Sequence, residues 1–190
     1  TNVTVSAALA NVTSTAGSGV GVLGAGSHRV VTWTNVTVSA ALANVTSTAG
    51  SYVGVLGAGS YNGTVTWTNV AVTAALANVT STATGSAVLV LGAGSISGSV
   101  TWTNVAVSAA LANVTSTAGS YVGVLGAGSY SAVTWTNVNV SAALANVTST
   151  ATGSAVGVLG AGSNSAVTWT NVAVSAALAN VTSTAKDAVG

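Results

Sequence analysis

A 190-residue chain that repeats itself every 33 to 35 residues has few folds open to it. The triplet TNV begins at Thr1, Thr34, Thr68, Thr103, Thr136 and Thr170. The unit between reads approximately TNV-x-VSAALANVTSTAGS-x-VGVLGAGS-xxx-VTW, and five full units and a partial sixth fill residues 1–190 as one repeat domain. A unit this short cannot bury an apolar face alone. Stacked neighbours must supply the core together.

Each unit contains a weaker half-repeat. V-x-V triplets start at Val3, Val20, Val36, Val53, Val70, Val88, Val105, Val122, Val138, Val156 and Val172, 16 to 18 residues apart. A V-T-x-T motif also occurs eleven times, as VTST or VTWT, but its spacings alternate between about 14 and about 20. Val and Thr suit strands because a branched Cβ packs well on a pleated surface. Alternation has period two within the short runs. Val12 and Ser14 point one way, Thr13 and Thr15 the other; Val31 and Trp33 share a face opposite Thr32 and Thr34. Parity slips at Asn35, at Asn44 and in the Ala-Gly-Ser stretches, as it does at the corners of a coiled sheet. SAALA is too short to stand alone as a helix.

These features predict an all-β fold, a β-solenoid (β-helix). The V-x-V spacing favours about eleven coils of ~17 residues, a rod roughly 50 Å long at 4.8 Å per coil. A flatter coil of ~34 residues is the alternative. In the 17-residue coil, Trp33, Trp67, Trp102, Trp135 and Trp169 alternate with Ser14, Ser47, Ser81, Ser116 and Ser149, small above large, so the Trp rings are expected inside.

Composition narrows the function. Arg29, Lys186 and Asp187 are the only charged residues, there is one His, and Glu, Cys, Met, Phe and Pro are absent. Paired carboxylates, Cys–His chemistry, thiolate metal sites and disulfides are therefore excluded. Two cations do not make a phosphate-binding surface. We expect no enzyme, no cofactor, no metal and no nucleic-acid partner. The apolar runs are interrupted every few residues, so no transmembrane helix is expected. The chain does not begin with Met, and a secreted, extracellular protein cleaved from a precursor is expected.

The eleven Thr pairs are Thr13 and Thr15, Thr32 and Thr34, Thr46 and Thr48, Thr66 and Thr68, Thr80 and Thr82, Thr101 and Thr103, Thr115 and Thr117, Thr134 and Thr136, Thr148 and Thr150, Thr168 and Thr170, and Thr182 and Thr184. With Val and Ser or Trp inside, these Thr face outward. Their spacing is about 6.6–7 Å along a strand and about 4.8 Å between strands. That grid of hydroxyls and methyls is flat and uncharged. It offers no concavity for a small molecule but suits ordered water or a crystal surface.

In these motifs the chain resembles the insect hyperactive antifreeze proteins, β-solenoids that carry ranks of T-x-T on a flat side. The moth-type members have coils close in length to the half-repeat here. The resemblance implies ice binding by the eleven Thr pairs, with ordered water as intermediary. Most moth and mealworm-type members are braced by disulfides, which this chain lacks; longhorn-beetle members largely lack them too. The alternating spacing leaves open one shared Thr face or two ladders of six and five. Thr is also a good residue on any solvated strand, and identical columns stack well in any repeat fold.

Two Asn columns, Asn2 to Asn171 and Asn11 to Asn180, lie at the parity slips, where Asn tolerates unusual backbone angles and forms amide ladders. Many are also N-x-T/S sequons. A glycan there would obstruct the neighbouring Thr. The Gly of the VLGAGS segments allow tight turns and close approach of coils. Tyr52, Tyr61, Tyr121 and Tyr130 flank these segments and are expected exposed, as is His28.

So little charge is unusual for a soluble surface, and a solenoid exposes a sheet edge at each end. The second functional class is therefore a self-assembling extracellular structural or fibre protein built from stacked repeats. An outer-membrane barrel is a third. It fits less well because aromatic girdles are missing, and a membrane partner is not expected.

Overall fold

The computed structural model describes residues 2–27, 29–60, 63–95, 97–129, 131–153, 155–163 and 166–189. The first coil contains β1 (Val3–Ala10), β2 (Thr13–Ala16), β3 (Gly19–Val22) and β4 (Ala25–Ser27). The second has one long strand, β5 (Val31–Ala49), then β6 (Tyr52–Val55) and β7 (Ala58–Ser60). The pattern returns as β8 (Val65–Ala83), β9 (Ala87–Val90) and β10 (Ala93–Ser95). It returns again as β11 (Val100–Ala118), β12 (Tyr121–Val124) and β13 (Ala127–Ser129), then β14 (Ala132–Ala151), β15 (Ala155–Val158) and β16 (Ala161–Ser163). The chain closes with β17 (Ala166–Thr184) and β18 (Ala188–Val189). SAALA lies inside the long strands, extended throughout.

Every strand pairs in parallel with its counterpart one unit away, so three parallel sheets run side by side along the stack. Trp67 sits opposite Trp102, and Leu76 opposite Leu111. The fold is a β-solenoid, and its coil is the 34-residue one. The eleven 17-residue coils are corrected: Val36 and Val53 occupy different walls of one coil, β5 and β6, and both point into the core. Six ranks stacked at 4.8 Å make a body of roughly 24 Å between first and last rank, half the length of the 17-residue alternative. The Trp–Ser alternation is corrected for the same reason. Trp stacks on Trp, and Ser47 pairs in register with Ser81.

Corners form where the backbone turns left-handed. Asn35, Asn44 and their equivalents have φ of 51–56°, and Leu56, Leu91, Leu125 and their equivalents have φ of 56–66°. At Asn35, two consecutive residues, Thr34 and Asn35, face out; at Leu56, Val55 and Leu56 are both fully buried in the core. The Asn corners are therefore convex and the Leu corners re-entrant. No described glycine has positive φ. Leu carries the turn expected of Gly, and the glycines serve close approach instead. A Cβ on Gly92 would lie 2.6 Å from the Gly126 carbonyl oxygen of the next coil.

The re-entrant corner leaves a notch between the two short strands. Tyr52 lies against Gly54 and Gly59, and Tyr121 against Gly123 and Gly94, with Leu89 between them. Tyr121 is buried and Tyr52 half-buried, which corrects the expectation that they are exposed. The glycines leave the space that these rings fill. Tyr61, Tyr130 and His28 lie outside the described residues. Serine hydroxyls fix the variable loops: Ser60 Oγ donates to the Arg29 carbonyl at 2.5 Å and Ser95 Oγ to that of Gly63 at 2.6 Å.

The main core is one continuous column of Val, Ala, Leu and Trp. Trp67, Trp102 and Trp135 are fully buried, as expected of the Trp column. Trp33 is half-buried and Trp169 is 49% exposed, because each ends the stack and has a ring on one side only.

Candidate functional site: the outer faces of the long strands

The two Asn corners divide each long strand into three straight segments. In the second coil these are Val31–Thr34, Val36–Ala43 and Val45–Ala49. Strand alternation then decides what faces water. Val31, Val36, Val38, Ala40, Leu42, Val45 and Ser47 are buried, while Thr32, Thr34, Thr37, Ser39, Ala41, Thr46 and Thr48 are exposed. Burying the apolar set fixes the register, because a one-residue slip would exchange the two.

All 22 Thr of the eleven motifs fall on outward positions of the long strands or of β2. They form two ladders, not one. The VTST ladder has six ranks, from Thr13 and Thr15 to Thr182 and Thr184. The VTWT ladder has five, from Thr32 and Thr34 to Thr168 and Thr170. A convex Asn corner borders each ladder. Nδ2 of Asn44, Asn78, Asn113, Asn146 and Asn180 donates to Oδ1 of the preceding Asn at 2.9–3.0 Å, making one unbroken amide ladder from Asn11 to Asn180. The second ladder runs from Asn35 to Asn171 at 3.0–3.1 Å. In both, the amide nitrogen that a glycan would use is the donor holding one coil to the next.

The stack is nearly free of twist. Ring centroids of Trp33, Trp67, Trp102 and Trp135 are 4.7–4.8 Å apart, and their planes differ by 0–2°. Neighbouring strands in ordinary sheets rotate by roughly 20–25°, and flat sheets need stacking or side-chain ladders to hold them. Here the Trp stack and the Asn ladders supply both. Only the last pair, Trp135 and Trp169, loosens, to 5.4 Å and 8°.

Between the Thr ladders lies a face that was not singled out as a site from sequence. Its outward positions carry small residues, and an open apolar trough of about 850 Å³ runs along Ala8, Ala41, Ala75, Ala110, Ala143 and Ala177 and the residues next to them. The V-x-V-x-A-x-L alternation between Asn35 and Asn44 was the available signal for it.

The three charged residues lie outside the long strands, so no charge stands on any of these faces. No group of three or more His, Cys, Asp or Glu able to hold a metal exists among the described residues. Burial pushes the Tyr52 and Tyr121 phenols well above the ordinary tyrosine range, so both are neutral. The Tyr121 hydroxyl, the Nε1 of Trp67, Trp102 and Trp135, and the Oγ of Ser47, Ser81, Ser116 and Ser149 are buried without a hydrogen-bond partner. No protein-family profile, curated protein or solved structure matches the chain.

Proposed function

We propose that this chain is an extracellular ice-binding antifreeze protein that adsorbs to ice through its Thr-x-Thr ladders. The observation that carries the reading is flatness: the Trp33, Trp67, Trp102 and Trp135 planes lie within 2° of parallel at a near-constant 4.7–4.8 Å. A crystal surface is periodic over many repeats. A twisted sheet would lose match with it after a few ranks, and this one keeps the same Thr spacing along the stack. Each Thr supplies a hydroxyl that bonds water and a methyl that excludes it. With no charge nearby, water on the grid is held by position. The ordered layer then joins a crystal face, and growth there stops. No catalytic group, cofactor or metal takes part.

Replacement of one central Thr on each ladder tests the reading. Thr80→Tyr and Thr101→Tyr place a bulky ring in the middle of the VTST and VTWT faces. Uptake of the labelled protein into a slowly growing ice hemisphere is the readout. We expect one variant, or both, to be excluded from the ice while far-UV circular dichroism and melting stay unchanged. Uptake of both variants equal to that of the unmodified chain would rule out Thr-mediated adsorption.

A further inference from the structure

The middle segments of the long strands form one flat wall between the two Asn ladders. In the second coil this is Val36–Ala43, with Val36, Val38, Ala40 and Leu42 buried and Thr37, Ser39 and Ala41 exposed. The same columns recur in register from coil to coil. The exposed column Ala8, Ala41, Ala75, Ala110, Ala143 and Ala177 lies along the apolar trough, which is therefore built at every rank of the stack. Beside it stands a taller exposed column, Ser6, Ser39, Thr73, Ser108, Ser141 and Ser175. A ridge thus runs parallel to a trough, one outward position away at about 6.6–7 Å.

We propose that this wall is where two copies of the chain pair face to face, about a two-fold axis that runs along the stack between the Ser39 and Ala41 columns. Three observations select a second copy as the occupant. First, the wall complements itself. The two-fold axis seats the Ser/Thr ridge of each copy in the Ala trough of the other, and a pure rotation sets each rank on its own equivalent, so Ser108 faces Ala110 of the second copy. Only a partner with the same rise per rank and the same column spacing stays in step along the whole wall, and the near-absence of twist keeps the two walls in contact. Second, the area suffices. From one Asn ladder to the other the wall is about 30 Å wide, and about 24 Å separates its first and last ranks. That is about 700 Å² per copy, against about 800 Å² per partner in a standard stable interface. Third, a copy brings no charge to the contact, because Arg29, Lys186 and Asp187 all lie outside the long strands. A partner carrying ordinary surface charge would have to bury it unpaired against Ala.

The Asn ladders then form the rim. A side-chain amide has two donors and two acceptor lone pairs. Each ladder bond uses one donor of one Asn and one acceptor of the next, so the interior amides have a second of each to offer across the joint or to water. Small side chains at the centre and polar groups at the edge are the usual anatomy of an interface. The contact joins one surface to itself, so it closes at a dimer. Both Thr ladders stand beyond the Asn corners and stay uncovered, and the pairing does not depend on ice binding.

Sedimentation velocity over a concentration series tests this, with Ala110→Arg as the variant that places a charge at the centre of the wall. Ala110 faces solvent in the single chain, so the variant keeps the β-rich circular dichroism of the unmodified chain; Ser108→Lys on the same wall replaces it if it does not. The unmodified chain should pass from monomer to dimer with rising concentration and go no further. The variant should self-associate at least about 100-fold more weakly, because each copy would bury an unpaired charge. Thr80→Tyr and Thr101→Tyr, on the Thr ladders, should dimerise like the unmodified chain. An unmodified chain that is monomeric at every concentration would overturn the proposal. So would an Ala110→Arg variant that pairs like the unmodified chain, loss of pairing in the Thr variants, or growth past the dimer, which would place the contact on another surface.

Discussion

The outer wall of the coil and its notched wall use one backbone device to opposite ends. Both turn through left-handed residues, at φ of 51–56° on Asn and 56–66° on Leu. On the outer wall the turning residue is polar and stays in water, so the corner bulges and the segments beside it present flat Thr and Ala faces. On the notched wall the turning residue is apolar and goes to the core, so the corner folds inward and the short strands are buried on both sides. Left-handed backbone costs an L-residue about 1–2 kcal/mol. Full burial of a Leu side chain contributes about 1.5–3 kcal/mol, which offsets the strain. The side chain at the turn, not its φ, decides whether the wall becomes a surface or a seam.

The comparison can be broken most sharply at a re-entrant corner. Leu125→Ala keeps the left-handed strain and empties a fully buried site. A loss of about 2–5 kcal/mol in denaturant unfolding is expected. A convex corner should be more tolerant. Asn113→Ala exposes a small side chain, incurs the left-handed cost of about 1–2 kcal/mol and removes two ladder bonds. Its measured loss should therefore fall below that of Leu125→Ala, and a larger loss would reverse the account of the two walls.

The notched wall also carries the pH dependence. Buried Tyr121 stays neutral in the folded state at pH values where an unfolded tyrosine, with pKa of about 10, ionises. The unfolded state then binds fewer protons than the folded one. Stability is thus flat below about pH 10 and falls as pH rises beyond it. Tyr121→Phe should flatten that decline. The smallest effect belongs to the serines behind the VTST ladder. Ser116→Ala removes a buried hydroxyl that has no partner, so the melting temperature should hold or rise.

Much of the outer wall could be read from the residues. Val31 and Trp33 against Thr32 and Thr34, and the slips at Asn35 and Asn44, place the Thr outward and the corners where they stand. The uneven spacing of V-T-x-T already allowed two ladders of six and five. The coil length was obscured because the middle segment and β6 each bring a V-x-V triplet to the core. Two walls of one coil thus look like two coils. The notch was hidden for another reason. Leu is a poor residue for left-handed backbone, so Leu56 gave no turn signal, while the glycines beside it suggested one. Tyr52 and Tyr121 then read as loop residues, because nothing local shows that Gly54, Gly59, Gly94 and Gly123 make room for them.

Thermal hysteresis of the unmodified protein in dilute solution, with the growing crystals imaged, tests the central claim most directly. Two flat, uncharged Thr ladders predict a gap between melting and freezing points and crystals with defined facets. A folded, β-rich sample that shows no gap and leaves ice growing as unshaped discs would contradict it.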